Sequence, residues 1–287
     1  MIIDYHIHLE RDTHFEKCPY TIENIEAYLE VAEKRGIHEI GITEHCNRFA
    51  EFFPLMKELA DGEGAYPETS EWLRNICTET LEEYITYLSK MKELGYPIKI
   101  GIEVEYIVGR EEELKKILEP YPWDYILGSV HFLGNWSIDF SKDIGWPERD
   151  IDSTYREYIN TLKNAAESEI FDVLAHIDLI KKFGYRLKAD LSGLWLDCLD
   201  SIASEDLAIE VSTAGLRKAV KEIYPSKELL LGCKERNIPI TFASDAHDAS
   251  EVGLDIGEAI NMAGECGYTE ICTFQGRKKD LREISLL

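Results

Sequence analysis

The sequence has no long apolar run. Its longest, such as Ile40–Thr43 and Leu229–Leu231, span only a few residues. That is far short of the roughly 18 needed to cross a bilayer, so no membrane span is expected. Cysteine is sparse and shows no pairing pattern: the chain has seven, an odd number, and no CxxC spacing. This argues against a zinc ribbon or a disulfide framework and for buried thiols in a reducing compartment. Positive charge is scarce too, with 31 Lys and Arg against 55 Asp and Glu, a net charge of −24. A nucleic-acid partner is therefore not expected, because phosphate contacts need clustered cations. The same surplus repels an anionic substrate unless bound cations reverse the field locally. Low-complexity tracts, simple repeats and linkers are missing. No basic stretch followed by an apolar segment and a cleavage site opens the chain, so the cytoplasm is the expected compartment.

What remains is an ordinary globular composition, 45% apolar and 30% charged over 287 residues. That length suits one large α/β domain or two small ones, and it can bury a core without covalent staples. We expect one domain over 1–287.

Short apolar segments ending in polar chemistry alternate with helical stretches. Strands are predicted at Met1–His8, Glu39–Thr43, Ile98–Val104, Tyr125–Val130, Asp172–Ala175, Ala208–Val211 and Pro239–Ala243. Thr21 should cap a helix that Gly36 stops. One helix is expected from Ser70 to about Leu94, and Ser250 should cap a last helix running to about Cys266. Phe49–Ser70, rich in Gly, Pro and aromatics, reads as an irregular loop insertion. Helical crossovers between strands imply a parallel sheet. Polar residues at the ends of nearly every strand favour a closed barrel with its site at that rim. An open doubly wound sheet, the alternative, gathers ligands at one switch point.

The histidines carry the chemistry. Asp4-Tyr5-His6-Ile7-His8 ends the first strand, where residues two apart share a face, so His6 and His8 project together. Of the eight histidines, His45, His131, His176 and His247 also fall at strand ends, and His14 lies in the loop after the first strand. Only His38 lacks such a place and reads as a surface residue. Glu103 and Asp245 add carboxylates. Imidazole and carboxylate suit zinc, iron or manganese, and nine donors are too many for one ion. Two or three divalent ions held close together would use them.

The order His6-x-His8, His14, His45, Glu103, His131, His176, Asp245-x-His247 resembles the metal-binding signature of the PHP (polymerase and histidinol phosphatase) superfamily. The resemblance implies a distorted (β/α)7 barrel with a trinuclear site. It would give one ion to His6, His8, Glu103 and Asp245, a second to Glu103, His131 and His176, and a third to His14, His45 and His247. Stretches between the ligands resemble the histidinol-phosphate phosphatase branch: Gly128–Leu133, His176–Gly184, and Ser212–Lys218 followed by Glu222–Ser226. Ala219 departs from that pattern, which has Pro there.

The branch implies hydrolysis of histidinol phosphate, a small phosphomonoester, in histidine biosynthesis. Asp245, His247 or a metal-bound water is then a candidate source of the leaving group's proton, and the sequence does not choose among them. Arg217 is the first candidate for clamping phosphate, since a guanidinium forks two oxygens; Lys182, Lys181 and Arg48 follow. Glu105 and Asp178 suit either a substrate cation or the orientation of a ligand histidine. Alternatives are another phosphomonoester (nucleotide, sugar phosphate or phosphotyrosine), a mononuclear amidohydrolase-like enzyme, or a non-catalytic metal-binding module. Oligomeric state is left open.

Overall fold

The computed structural model describes residues 1–9 and 17–285. His14 therefore lies outside the described residues. The strands are β1 (Ile3–Ile7), β2 (Glu39–Ile42), β3 (Ile98–Ile100), β4 (Glu103–Glu105), β5 (Leu127–Ser129), a short hairpin β6 (Phe132–Leu133) and β7 (Trp136–Ser137), β8 (Val173–Leu174), β9 (Ala208–Ser212), β10 (Ile240–Ala243), β11 (Glu270–Gln275) and β12 (Lys278–Glu283). The helices are α1 (Ile22–Lys34), α2 (Phe53–Asp61), α3 (Pro67–Ile76), α4 (Leu81–Glu93), α5 (Glu111–Leu118), α6 (Ile151–Ala166), α7 (Ser192–Ser204), α8 (Ala214–Arg217), α9 (Lys227–Glu235) and α10 (Ile256–Glu265).

One sheet runs β1-β2-β3 and another β10-β9-β8-β5-β4, all pairings parallel. The chain itself joins them, because β3 and β4 form one strand interrupted at Gly101 and Ile102. Across the other seam, Ile7 bridges Ala246, and the His8 N–H donates to the Ala246 carbonyl at 2.8 Å. The strands thus close into a ring with all five residues of β1 buried, as parallel strands covered on both faces must be. Asp4 reinforces this seam. Its carboxylate accepts from the Ser244 N–H and hydroxyl and from the Gly253 N–H at 2.5–2.8 Å.

Tyr125 fills part of the interior. Its ring stacks on Tyr5 at 5.1 Å and its hydroxyl donates to the Tyr5 carbonyl. A Cβ at Gly41 would lie 1.8 Å from that hydroxyl, so β2 needs glycine here. The β11–β12 hairpin packs where strands begin: the Gly276 N–H donates to Asp124, and Arg277 pairs with Asp172. Those carboxylates just precede β5 and β8, so the hairpin covers the end opposite the histidines.

Three local expectations are corrected. Phe49–Ser70 is not irregular: it holds α2 and the start of α3, each with Pro in its first turn, where the missing N–H costs nothing. Leu55, Met56, Leu59 and Ala60 bury one face of α2. The expected single helix from Ser70 is two, α3 and α4, separated by residues 77–80. Both the Thr78 and Glu79 N–H groups donate to the Arg48 carbonyl, and Thr80 then caps α4. Ser250 does not cap the last helix. Asp248 caps a short 3-10 turn at Ala249–Glu251, and α10 begins only at Ile256, after left-handed Gly253 and Asp255.

Candidate metal centre

Each polar side chain reaches the rim because its strand ends there. His6 is in β1 and His8 follows it; His45 follows β2; Glu103 and Glu105 share a face of β4; His131 and His176 follow β5 and β8; Asp245 and His247 follow β10. His176 and Asp245 adopt positive φ, 25° and 53°. Such backbone costs on the order of 1–3 kcal/mol and clusters at functional sites.

Glu103 is the hub. Its Oε2 lies 3.4 Å from His6 Nε2, 3.7 Å from His8 Nε2 and 3.2 Å from His45 Nε2. Its Oε1 lies 3.1 Å from His176 Nε2 and 3.5 Å from His131 Nε2. Asp245 Oδ1 approaches His8 Nε2 at 3.4 Å and His6 Nε2 at 3.8 Å. Three groups of donors lie within 4.8 Å of one another: His6, His8 and Glu103; Glu103, His131 and His176; and His8, His45 and His247.

These donors fit metal ions. Among the described residues, His6 Nε2, both ring nitrogens of His8 and Glu103 Oε2 are buried without a hydrogen-bond partner, an expensive state for polar atoms unless something fills it. Ligands bound at about 2.0–2.2 Å in a tetrahedron stand roughly 3.3–3.6 Å apart, close to the spacings around Glu103.

Buried carboxylates hold the outer nitrogens. Glu210 Oε2 is 2.6 Å from His6 Nδ1, with both side chains buried. Glu105 Oε2 is 2.8 Å from His131 Nδ1, and the same carboxylate accepts the His131 and Phe132 N–H groups. Such partners fix the tautomer so that Nε2 faces the ion. Glu105 thus contacts a candidate ligand histidine, whereas Asp178 pairs with Lys181 at 2.8 Å.

The electrostatics are those of an anion-rich, proton-holding cage. Burial opposes charge on His6, but Glu210, Glu103 and Asp245 outweigh it and hold its pKa well above the ordinary value. His8 goes the other way, pushed well down by burial, then by His45 and His247. Burial also works against ionised Glu103 and Asp245, yet the surrounding histidines, His6 foremost, hold both well below the usual carboxylate range. Burial lowers His131, but Glu103, Asp139 and Glu105 push it up to about 10.

A cavity of about 590 Å³ opens over this centre, lined by His45, Glu103, His131, His176, Asp245 and His247 together with Lys182, Lys218 and Tyr224. Lys182 Nζ is held by the Asp139 carboxylate at 3.0 Å and the Asp139 carbonyl at 2.9 Å. Arg217 lies behind the rim. Its Nη2 donates to the Ser244 and Asp245 carbonyls, Nε faces Glu251 at 3.3 Å, and Nη1 is buried without a partner among the described residues. Lys181 is buried against Asp178 and the Ile223 carbonyl, and Arg48 against Glu79; neither borders this cavity. Tyr224 borders it, and its buried hydroxyl has no partner among the described residues. His38 is exposed, as expected.

Glu210, Asp139, Tyr224 and Trp72 escaped the sequence reading. Glu210 had a signal: a carboxylate between Ile209 and Val211 in a strand predicted to be buried must find a partner.

A ring of parallel strands with imidazoles and carboxylates along one rim is the build of a metal-dependent hydrolase. The chain belongs to the PHP domain family, whose model matches residues 4–214. A probable histidinol-phosphatase of Deinococcus radiodurans is 36% identical over 205 residues, 70% of this chain and 77% of that one. The histidinol-phosphatase of Bacillus subtilis is 30% identical over 270 residues, covering 85% and 96%. Among solved structures, the fold matches histidinol phosphate phosphatase from Lactococcus lactis, which was solved with zinc, L-histidinol and phosphate. The TM-score is 0.74 at 22% identity, over 97% of this chain and 98% of that one.

Proposed function

We propose that the chain is a metal-dependent histidinol-phosphatase, hydrolysing L-histidinol phosphate to L-histidinol and inorganic phosphate in histidine biosynthesis. The observation that carries this is the set of donor groups converging on Glu103, in a chain whose curated relatives over most of its length bear that name. We read residues 1–287 as a single catalytic domain. Seven cysteines standing as thiols, six of them buried, fit a cytoplasmic setting. Among the described residues no helix is long and apolar enough to cross a membrane.

His6, His8, His45, Glu103, His131, His176, Asp245 and His247, with His14 from outside the described residues, would hold two or three divalent ions; the zinc of the Lactococcus structure favours zinc over iron or manganese. Bound there, the ions supply a water acidified toward pKa ~7 and neutralise charge on the phosphoryl group. Glu210 and Glu105 keep His6 and His131 turned so that Nε2 faces inward. Lys182 and the Tyr224 hydroxyl, which border the cavity, would offer donors to phosphate, while Arg217, fixed behind the rim by the Ser244 and Asp245 carbonyls, would hold the Asp245 turn in place. Lys181 and Arg48 brace the rim through their buried carboxylate partners. Of the two candidate proton sources bordering the cavity, His247 is the one that would serve the leaving oxygen, because the histidines around Asp245 hold its carboxyl ionised.

The test is phosphate release over a panel of phosphomonoesters with zinc-loaded protein. Histidinol phosphate should lead by at least tenfold in kcat/KM over nucleotides, sugar phosphates and phosphotyrosine. Better turnover of one of those would reassign the substrate, and inactivity with every metal site filled would leave a binding module.

A further inference from the structure

The α2–α3 insertion has no part in the metal centre, yet it reaches the same cavity. Met56 from α2 and Trp72 and Ile76 from α3 line it, joined by Phe132 of β6 and by Phe140 and Leu179. Met56, Ile76, Phe132 and Leu179 are buried, so they form the floor of this wall. Trp72 and Phe140 are the rings left accessible. Phe140 is 40% exposed, one of few large apolar side chains so placed among the described residues. The two rings lie 5.8 Å apart with planes inclined by 55°, a wedge rather than a closed stack. The cavity therefore has two unlike halves. One is polar and built for ions and phosphate; the other is apolar and aromatic. Such a division is how small-molecule pockets separate orientation from affinity.

We infer that the α2–α3 insertion, through Trp72 and with Phe140, forms the subsite for the organic half of the substrate and selects phosphomonoesters bearing a flat ring. The inference rests on the phosphatase reading above and adds to it. A metal-held phosphoryl group is common to all phosphomonoesters and cannot discriminate among them. Discrimination must come from what the leaving alcohol touches, and ring faces offer area plus quadrupole contacts to another ring. Trp72 and Phe140 act on binding and on the placement of the ester oxygen, with no part in bond breaking.

The experiment compares Trp72→Ala, Trp72→Phe and Phe140→Ala with the parent chain, all zinc-loaded and checked for metal content. Substrates are histidinol phosphate, O-phosphoethanolamine (an amine but no ring) and p-nitrophenyl phosphate (a ring but no amine); inorganic phosphate serves as a competitive inhibitor. Trp72→Ala should lower kcat/KM for the ring-bearing esters, mainly through KM, at least tenfold more than for O-phosphoethanolamine. Phe140→Ala should do the same to a smaller degree, and Trp72→Phe should restore most of the loss. Inhibition by phosphate should shift less than threefold. Equal losses on all three esters, or none on the ring-bearing ones, would overturn the inference. Phe140 is exposed, so its variant should fold even where Trp72→Ala does not. A parent chain that ignores histidinol phosphate would defeat the assigned substrate, and p-nitrophenyl phosphate against O-phosphoethanolamine would still judge the wall.

Discussion

Replacing Glu210 probes the centre from behind. Its Oε2 is 2.6 Å from His6 Nδ1, and neither side chain sees solvent. The contact is a charge-assisted hydrogen bond in a dry setting, of the kind worth about 1.5–3 kcal/mol. It does two things: it fixes the tautomer that leaves Nε2 facing Glu103, and it raises the basicity of that nitrogen. Glu210→Gln keeps an acceptor oxygen but loses the charge, so roughly tenfold weaker metal binding, about 1.4 kcal/mol, is expected. Glu210→Ala loses both effects and should approach a hundredfold. The alanine variant also leaves His6 Nδ1 buried without a partner, which costs about 1–3 kcal/mol of fold stability. The glutamine variant should melt close to the parent. Zinc affinity by chelator competition, with kcat at saturating zinc, reads the first effect, and a thermal melt reads the second. Zinc affinity within threefold of the parent in both variants would refute the positioning role.

Three further outcomes follow from the same geometry. Glu103→Ala should release more than one ion per chain and cut activity by roughly a hundredfold or more, because its two oxygens face five histidines; elemental analysis showing at most one ion lost would argue against a bridging role. In the metal-free protein His131, raised from 6.5 to about 10, contributes stability that is fully present below pH 6.5 and lost as pH rises through about 10. Melts of chelated protein across that window should fall for the parent and stay flatter for His131→Gln; parallel curves would sink the assignment. Gly41→Ala should cost about 1–3 kcal/mol or more by overpacking against the Tyr125 hydroxyl, with partial recovery in the double variant carrying Tyr125→Phe. A denaturation midpoint unchanged by Gly41→Ala would contradict the packing.

The ring of strands was legible because its signal is redundant. Each strand is short, apolar and closed by a polar group, and each is followed by a helix long enough to cross over. The pattern recurs around the ring, so an error in one segment does not change the topology. The candidate metal donors were legible for a related reason. Imidazoles are costly to gather without purpose, and the strand period sets which of them share a face, as with His6 and His8. Glu210 was harder to see. It lies in the middle of β9 rather than at its end, and only its partner, 204 residues away in sequence, gives it meaning.

The insertion shows where local reading stops. Pro54 and Pro67 look like breakers, and Gly62 and Gly64 look like loop residues; in the fold, the prolines start helices and the glycines turn between them. The break between α3 and α4 is decided elsewhere, by Arg48. Its carbonyl takes the Thr78 and Glu79 N–H groups, and its guanidinium holds the Glu79 carboxylate at 2.6 Å. Arg48 lies beside the rim after β2, so the contact that ends α3 also anchors the insertion next to the metal centre. No periodicity in residues 49–94 encodes that. A side chain that reads locally as a spare cation at the rim is buried against Glu79, just after the helix that carries Trp72.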